Sequence, residues 1–381
     1  MGTYPAPPVR FVSGQGARLV DEAGKVYLDF LSGIAVTSLG HCHPSVVAAL
    51  REQAGELWHV SNLFGNALAE PLASRLDRLV GDGEPAGGQV FFANSGAEAN
   101  ECAIKLARRA AGPGRHVVLS ALNSFHGRTL ATLHATGQPA KHAAFQPLPE
   151  GFEHVAFGNV DALESALDPS RVGALLLEAI QGEGGVVPAP PGYLEAAAAL
   201  CEKRGILLAF DEIQTGLGRT GRWFGFQRAG VAPDIVTVAK ALGNGMPIGA
   251  CWAKAEVAQA FGPGDHGSTF GGQPLACSAA TAVLDELLRI DAPARARQRG
   301  ARLAAGLQAL PAVAAVRGSG LLLGAVLAPG GPLASDVVAA ALAGGLVVNA
   351  PVDGVIRFAP PLTISEEEID EALEILTGAF G

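Results

Sequence analysis

Asp211, which follows the apolar run 206–210, and Lys240, which follows the run 235–239, have side chains suited to one chemistry. An amine such as Lys240 condenses with an aldehyde. A carboxylate such as Asp211, if buried, keeps a ring nitrogen protonated, so that the ring draws electrons from a neighbouring carbon. Each residue alone has an ordinary explanation. A lysine at a strand exit is usually a snorkelling surface cation, and a lone aspartate is usually a helix cap or loop acid. Their meaning rests on the residues around them.

Asn94-Ser-Gly-Ala-Glu-Ala-Asn100 lies between a predicted strand and a predicted helix. That position turns the backbone N–H groups of Ser95, Gly96 and Ala97 toward an anion such as a phosphate ester, with an ordinary strand-to-helix turn as the alternative. In Asn123-Ser-Phe-His-Gly-Arg-Thr129, Phe125 is suited to stack on a ring and Arg128 to hold a carboxylate bidentately. A core phenylalanine, a solvated arginine and, for His126, a satisfied loop histidine are the plainer readings. Glu183 sits in the glycine-flanked Gln181-Gly-Glu-Gly-Gly185 and has a prospective partner in Arg357 of Ile356-Arg-Phe-Ala-Pro-Pro361. His41-Cys42-His43 offers zinc-ligand types, but no further ligands stand at motif spacing and Pro44 follows at once, so it reads as a tight turn with no metal.

The elements that must position these residues follow from periodicity. Residues 17–30 alternate like strands around a turn, predicting an early hairpin. Helical patterns over 46–58, 67–79, 97–110 and 194–203 alternate with short apolar runs at 90–93, 116–120, 174–178, 206–210 and 235–239. This is the signature of a mostly parallel sheet covered by helices, in which ligands bind beyond the carboxyl ends of the strands. Asn94, Glu178, Asp211 and Lys240 all fall at such ends. Beyond about residue 281 the texture changes to helices over 280–288 and, after a break at Pro293, 294–310, strands near 313–317 and 321–327, and a terminal helix over 365–380. The expected organisation is an arm and hairpin (1–45) completing a small α+β domain (281–381), beside a large α/β domain (46–280).

At 381 residues the chain can bury a large core. A net charge of -9 without a basic stripe argues against a nucleic-acid surface. Five scattered cysteines without CxxC spacing argue against a disulfide framework and fit a reducing cytoplasm. No segment has the length and apolarity of a membrane span, and the first residues lack a signal-peptide core.

The chain resembles the class III, pyridoxal-phosphate-dependent aminotransferases. The resemblance extends from residues 32–41 and Leu57-Trp-His-Val-Ser-Asn62 through 181–185 and Phe210-Asp-Glu-Ile-Gln-Thr-Gly-Leu-Gly-Arg-Thr-Gly221 to His266-Gly-Ser-Thr-Phe-Gly-Gly272. It implies a fold type I transferase in which Lys240 forms the imine with the cofactor and Asp211 pairs with the pyridine nitrogen. Gln214 would bond the ring hydroxyl, Ile213 and Phe125 would sandwich the ring, and Ser95, Gly96 and Ala97 would hold the phosphate. Thr269 would come from the other subunit of a homodimer. Arg128 and Ser268 would contact substrate, with Glu183 and Arg357 as a switch. The implied reaction moves the δ-amine of N-acetylornithine to 2-oxoglutarate. Other ω-amino donors (ornithine, succinylornithine, 4-aminobutyrate, a lysine-pathway amine) and an aminomutase remain alternatives. Two positions depart from the family pattern: Ala97 stands where many relatives carry Thr, and Asn244 interrupts the usual glycine run after the lysine.

Overall fold

Seven strands form the sheet that carries the site in the computed structural model, which describes residues 1–380. Their spatial order is Gly88–Ala93, Gly249–Lys254, Ile235–Val238, Leu207–Asp211, Val172–Leu177, Val117–Ala121 and Phe152–Val155. Gly249–Lys254 runs antiparallel to both neighbours, and the remaining pairings are parallel. Val172–Leu177 and Ile235–Val238 are buried at every position, as strands covered on both faces must be. Helix Gly96–Ala111 lies against this sheet, burying Cys102, Ala103, Leu106 and Ala107.

Two four-stranded sheets flank it. In one, the expected hairpin forms from Arg18–Asp21 and Val26–Asp29, and the latter pairs in parallel with Leu346–Val347 from the far end of the chain. The other orders Val313–Ser319, Leu322–Leu327, Val355–Phe358 and Asn349–Val352, and it delivers Arg357. Helices Ala292–Gln308 and Glu366–Phe380 accompany these strands.

Three of the differences from the sequence reading have a plain physical reason. The helix expected over 46–58 is Pro44–Ala54 and stops at Gly55, a poor helix former. Pro293 does not separate two helices from outside. It occupies the first turn of Ala292–Gln308, where its missing N–H costs nothing. The antiparallel Gly249–Lys254 strand was not anticipated, because Gly-Ala-Cys-Trp-Ala-Lys is buried almost throughout and has no alternation to betray it.

His41 and His43 find protein partners: His41 Nε2 lies 2.7 Å from Asp29 Oδ2, and His43 Nε2 lies 3.6 Å from Glu286 Oε1, while Cys42 is exposed. Among the described residues no cluster of His, Cys, Asp or Glu is arranged to hold a metal, and no helix is long and apolar enough to cross a membrane.

Candidate active site

Beyond the carboxyl ends of the central strands lies a cavity of about 370 Å³, within the range that encloses a small-molecule cofactor. Its floor is made by Asp211, the last residue of Leu207–Asp211. Asp211 Oδ2 accepts hydrogen bonds from Asn100 Nδ2 and from His126 Nδ1, both at 2.8 Å, and Oδ1 accepts from the Ile213 N–H at 3.1 Å. Asn100 is in turn fixed by Thr237 Oγ1, which donates to its Oδ1 at 2.7 Å. The carboxylate is 4% exposed, and these bonds hold its orientation. Acceptor capacity remains for a protonated ring nitrogen.

Glu178 lies close behind Asp211. It accepts from the N–H groups of Phe125 and Gly182, yet burial pushes its carboxyl up to about 7, with Asp211 adding to the rise and His126 opposing it. Glu212 is pushed to about 7 by burial as well, but on the opposite side of the strand end, where Thr215 Oγ1 and the Gly225 and Phe226 N–H groups hold it. Adjacent acids at a strand end thus serve different ends, Asp211 facing the cavity and Glu212 fastening a loop.

Lys240 reaches the cavity from the strand Ile235–Val238. Its backbone is left-handed (φ 43°), a conformation that costs a side-chain-bearing residue roughly 1–2 kcal/mol and that aims the side chain inward. Burial lowers its pKa below the usual lysine range, with Glu183 opposing. Lowering favours the neutral amine that attacks an aldehyde. Just beyond, Asn244 takes φ 48°, as the interrupted glycine run required. Its side chain ties down the loop 39–40 by accepting from the Leu39 N–H at 2.8 Å and donating to Gly40 O at 3.0 Å.

At another wall, Ser95 caps helix Gly96–Ala111 by accepting from the Glu98 N–H at 3.2 Å, which leaves the first-turn N–H groups of Gly96 and Ala97 toward the cavity. A Cβ on Gly96 would meet Ile213 Cδ1 at 2.8 Å, so glycine is needed there for the helix start and Ile213 to approach. Gly182 plays the same part for Gln214, whose Oε1 would lie 2.2 Å from an added Cβ. Phe125, Arg128 and Gln214 also line the cavity.

The remaining charges form an ion pair, Glu183 of the lining with its partner Arg357. Arg357 is 0% exposed. Its Nη1 donates to Glu183 Oε1 and, at 3.1 Å, to Gln214 Oε1, while Nε donates to Asn349 Oδ1 at 3.1 Å. Its Nη2 has no partner among the described residues. Burial raises the Glu183 pKa, but Arg357 outweighs it and holds the carboxyl below its ordinary value.

The structure therefore brings Ser95, Gly96, Ala97, Phe125, Arg128, Glu183, Asp211, Ile213, Gln214 and Lys240 onto one cavity, with Arg357 joined through Glu183 and Gln214. Ser268 is not on that wall. It is linked to it by Asn94 Nδ2, which donates to Ser268 Oγ at 3.2 Å. Thr269 is exposed and also lies away from the cavity of its own chain. Sequence reasoning missed Asn100, which holds Asp211 from 111 positions away. A buried asparagine on the apolar face of a helix was the available signal. Pyridoxal phosphate fits this set: a neutral-leaning amine, a buried carboxylate with spare acceptor capacity, and helix N–H groups for its phosphate.

The class III aminotransferase family model matches residues 3–380. An acetylornithine aminotransferase of Corynebacterium efficiens is 48% identical over 385 aligned residues, covering 100% of this chain and 94% of the relative. An ornithine aminotransferase of Toxoplasma gondii superposes with a TM-score of 0.94 at 38% identity, covering 100% of this chain and 92% of that one. An N-acetylornithine aminotransferase of Stenotrophomonas maltophilia gives 0.85 at 38% identity, with 99% and 96% covered. Matched along almost its entire length, this chain belongs to the class III aminotransferases.

Proposed function

We propose that the protein moves the δ-amino group of N2-acetyl-L-ornithine to 2-oxoglutarate, yielding N-acetylglutamate 5-semialdehyde and glutamate, as a step of arginine synthesis. The observation that carries this reading is the Glu183–Arg357 ion pair beside an unpaired Arg128, in a chain 48% identical to an acetylornithine aminotransferase. Bound pyridoxal phosphate supplies an electron sink that stabilises a carbanion next to the transferred nitrogen. Ser95, Gly96 and Ala97 would hold its phosphate, Asp211 its ring nitrogen, Gln214 its ring hydroxyl, and Phe125 and Ile213 its faces. Lys240 Nζ would hold the cofactor's aldehyde and, when free, would serve as the base that carries a proton at the substrate carbon.

The two substrates place their carboxylates differently. For acetylornithine, the carboxylate is remote from the reacting amine and meets Arg128, while Glu183 neutralises Arg357 and spares the site an unpaired buried cation. Glutamate brings its second carboxylate close to the reacting amine and displaces Glu183 from Arg357. Ser268 contributes from the rim.

We further propose a homodimer. Trp58, Leu63, Phe64 and Phe270 expose 60%, 86%, 71% and 59% of their surface beside Thr269, an apolar patch suited to a second copy that receives Thr269 at its phosphate site. The division into an arm and hairpin (1–45), a large cofactor-binding domain (46–280) and a small domain (281–381) belongs to the same reading, as does a cytoplasmic location.

Ornithine is the second reading, favoured by the higher TM-score to an ornithine aminotransferase. Steady-state rates with acetylornithine, ornithine, succinylornithine and 4-aminobutyrate against 2-oxoglutarate decide between them. Acetylornithine should give the highest kcat/KM. Another donor in front overturns the assignment, and turnover without 2-oxoglutarate points instead to an aminomutase.

A further inference from the structure

Phe125 has a cation at two places around its ring. Arg128 Cζ lies 5.7 Å from the ring centroid and Lys141 Nζ lies 5.9 Å from it. Among the described residues neither cation forms a salt bridge, although Glu183 stands close enough to influence Lys141. Holding two like charges around one ring, with no carboxylate in contact, is unfavourable unless something anionic joins them.

Lys141 is held in place rather than swinging in solvent. Its Nζ donates to Gln138 Oε1, and Gln138 Nε2 donates at 2.9 Å to the carbonyl of Ser124, the residue before Phe125. Lys141 also closes the short turn Pro139–Lys141, and the next residue, buried His142, has its Nε2 2.7 Å from Thr136 O. Burial and then Arg128 lower the lysine's pKa while Glu183 raises it, so Lys141 stands within electrostatic reach of two residues that line the cavity. With one N–H on Gln138, the ammonium keeps two further donors. A substrate carboxylate has two oxygens: one can take the guanidinium of Arg128, the other the ammonium.

We propose that Lys141 is a specificity-determining residue, forming with Arg128 a two-cation rim that holds the substrate carboxylate lying remote from the transferred amine. The inference rests on the acetylornithine reading. The bland alternative is that Lys141 only stiffens its turn through Gln138.

The test compares acetylornithine with N-acetyl-1,4-diaminobutane, the same donor without its carboxylate, in the unsubstituted enzyme and in Lys141→Met, Lys141→Gln and Lys141→Arg. The ratio of kcat/KM for the two donors should fall about tenfold in the Met and Gln variants, the scale of one charge-assisted contact at a half-exposed site. The loss should fall on KM for acetylornithine, and Lys141→Arg should restore the ratio. Gln retains a donor toward Gln138 and loses the charge, so it separates the two roles should Met disturb folding. An unchanged ratio in Lys141→Gln, or a fall that Arg does not restore, overturns the inference. If the unsubstituted enzyme shows no preference for the carboxylate-bearing donor, the acetylornithine reading itself has failed.

Discussion

Arg219 and Arg357 are both withdrawn from solvent, at 1% and 0% exposure, and their surroundings differ in kind. Arg219 binds groups that cannot leave: Nη1 donates to the carbonyls of Leu321 (3.1 Å) and Pro360, and Nη2 donates to Ser38 Oγ at 2.9 Å. Among the described residues no carboxylate touches it, and burial lowers its pKa to about 9. Arg357 binds side chains, one of which, Glu183, sits in a loop between glycines and is only half-buried. The first arginine clasps chain segments together. In the proposed reading, the second keeps its charge available to a ligand that replaces its partner. What separates structure from function here is the exchangeability of the partner, since burial is the same.

Several substitutions sharpen or break that contrast. The largest effect is expected from Lys240→Ala, which leaves both arginines in place but should lower turnover at least about 10⁴-fold by removing the amine that both links the cofactor and moves the proton. Retained turnover in a coupled glutamate assay would remove Lys240 from the chemistry. Arg219→Met orphans two buried carbonyls and should cost about 3 kcal/mol in urea unfolding, with donor preference kept. A shift in donor preference at unchanged stability would erase the distinction between the two arginines.

Arg357→Met should reverse that pattern. Stability should fall by less than in Arg219→Met, because Glu183 can turn to solvent and only the side-chain oxygens of Gln214 and Asn349 lose a donor. The kcat/KM for glutamate should fall about 100-fold, as expected when a buried charge-assisted carboxylate contact is lost. A pH experiment addresses the floor of the site. Burial raises the Glu178 pKa to about 7, above its ordinary 4.5, so between those values the folded state keeps a proton that the unfolded chain has lost. Stability therefore falls as pH rises through that window. Glu178→Gln should reduce this slope by up to about 1.4 kcal/mol per pH unit, measured by urea midpoints across the window. An unaltered slope would place the titration elsewhere.

The sequence made the sheet legible wherever buried strands alternate with amphipathic helices, and the relation of Asp211 to Lys240 followed from their positions at strand ends. The prospective Glu183–Arg357 contact was also visible, because a cation before an apolar, proline-bound segment needs a partner. Other features depend on tertiary neighbours. Nothing local marks Asn100 and His126 as the donors to Asp211, and Gly249–Lys254 lacks the alternation that would reveal its direction. Lys141 looked like any surface lysine until the fold brought it to Phe125. Thr269 has no role legible within one chain, since its own cavity is out of reach.

The most direct measurement of the exchangeable pair is the single-turnover spectrum of Glu183→Ala with each amino donor separately. If Glu183 serves to occupy Arg357 when acetylornithine binds, that half-reaction should slow about tenfold more than the glutamate half-reaction, where the acid is displaced in any case. Equal losses in the two half-reactions would contradict it.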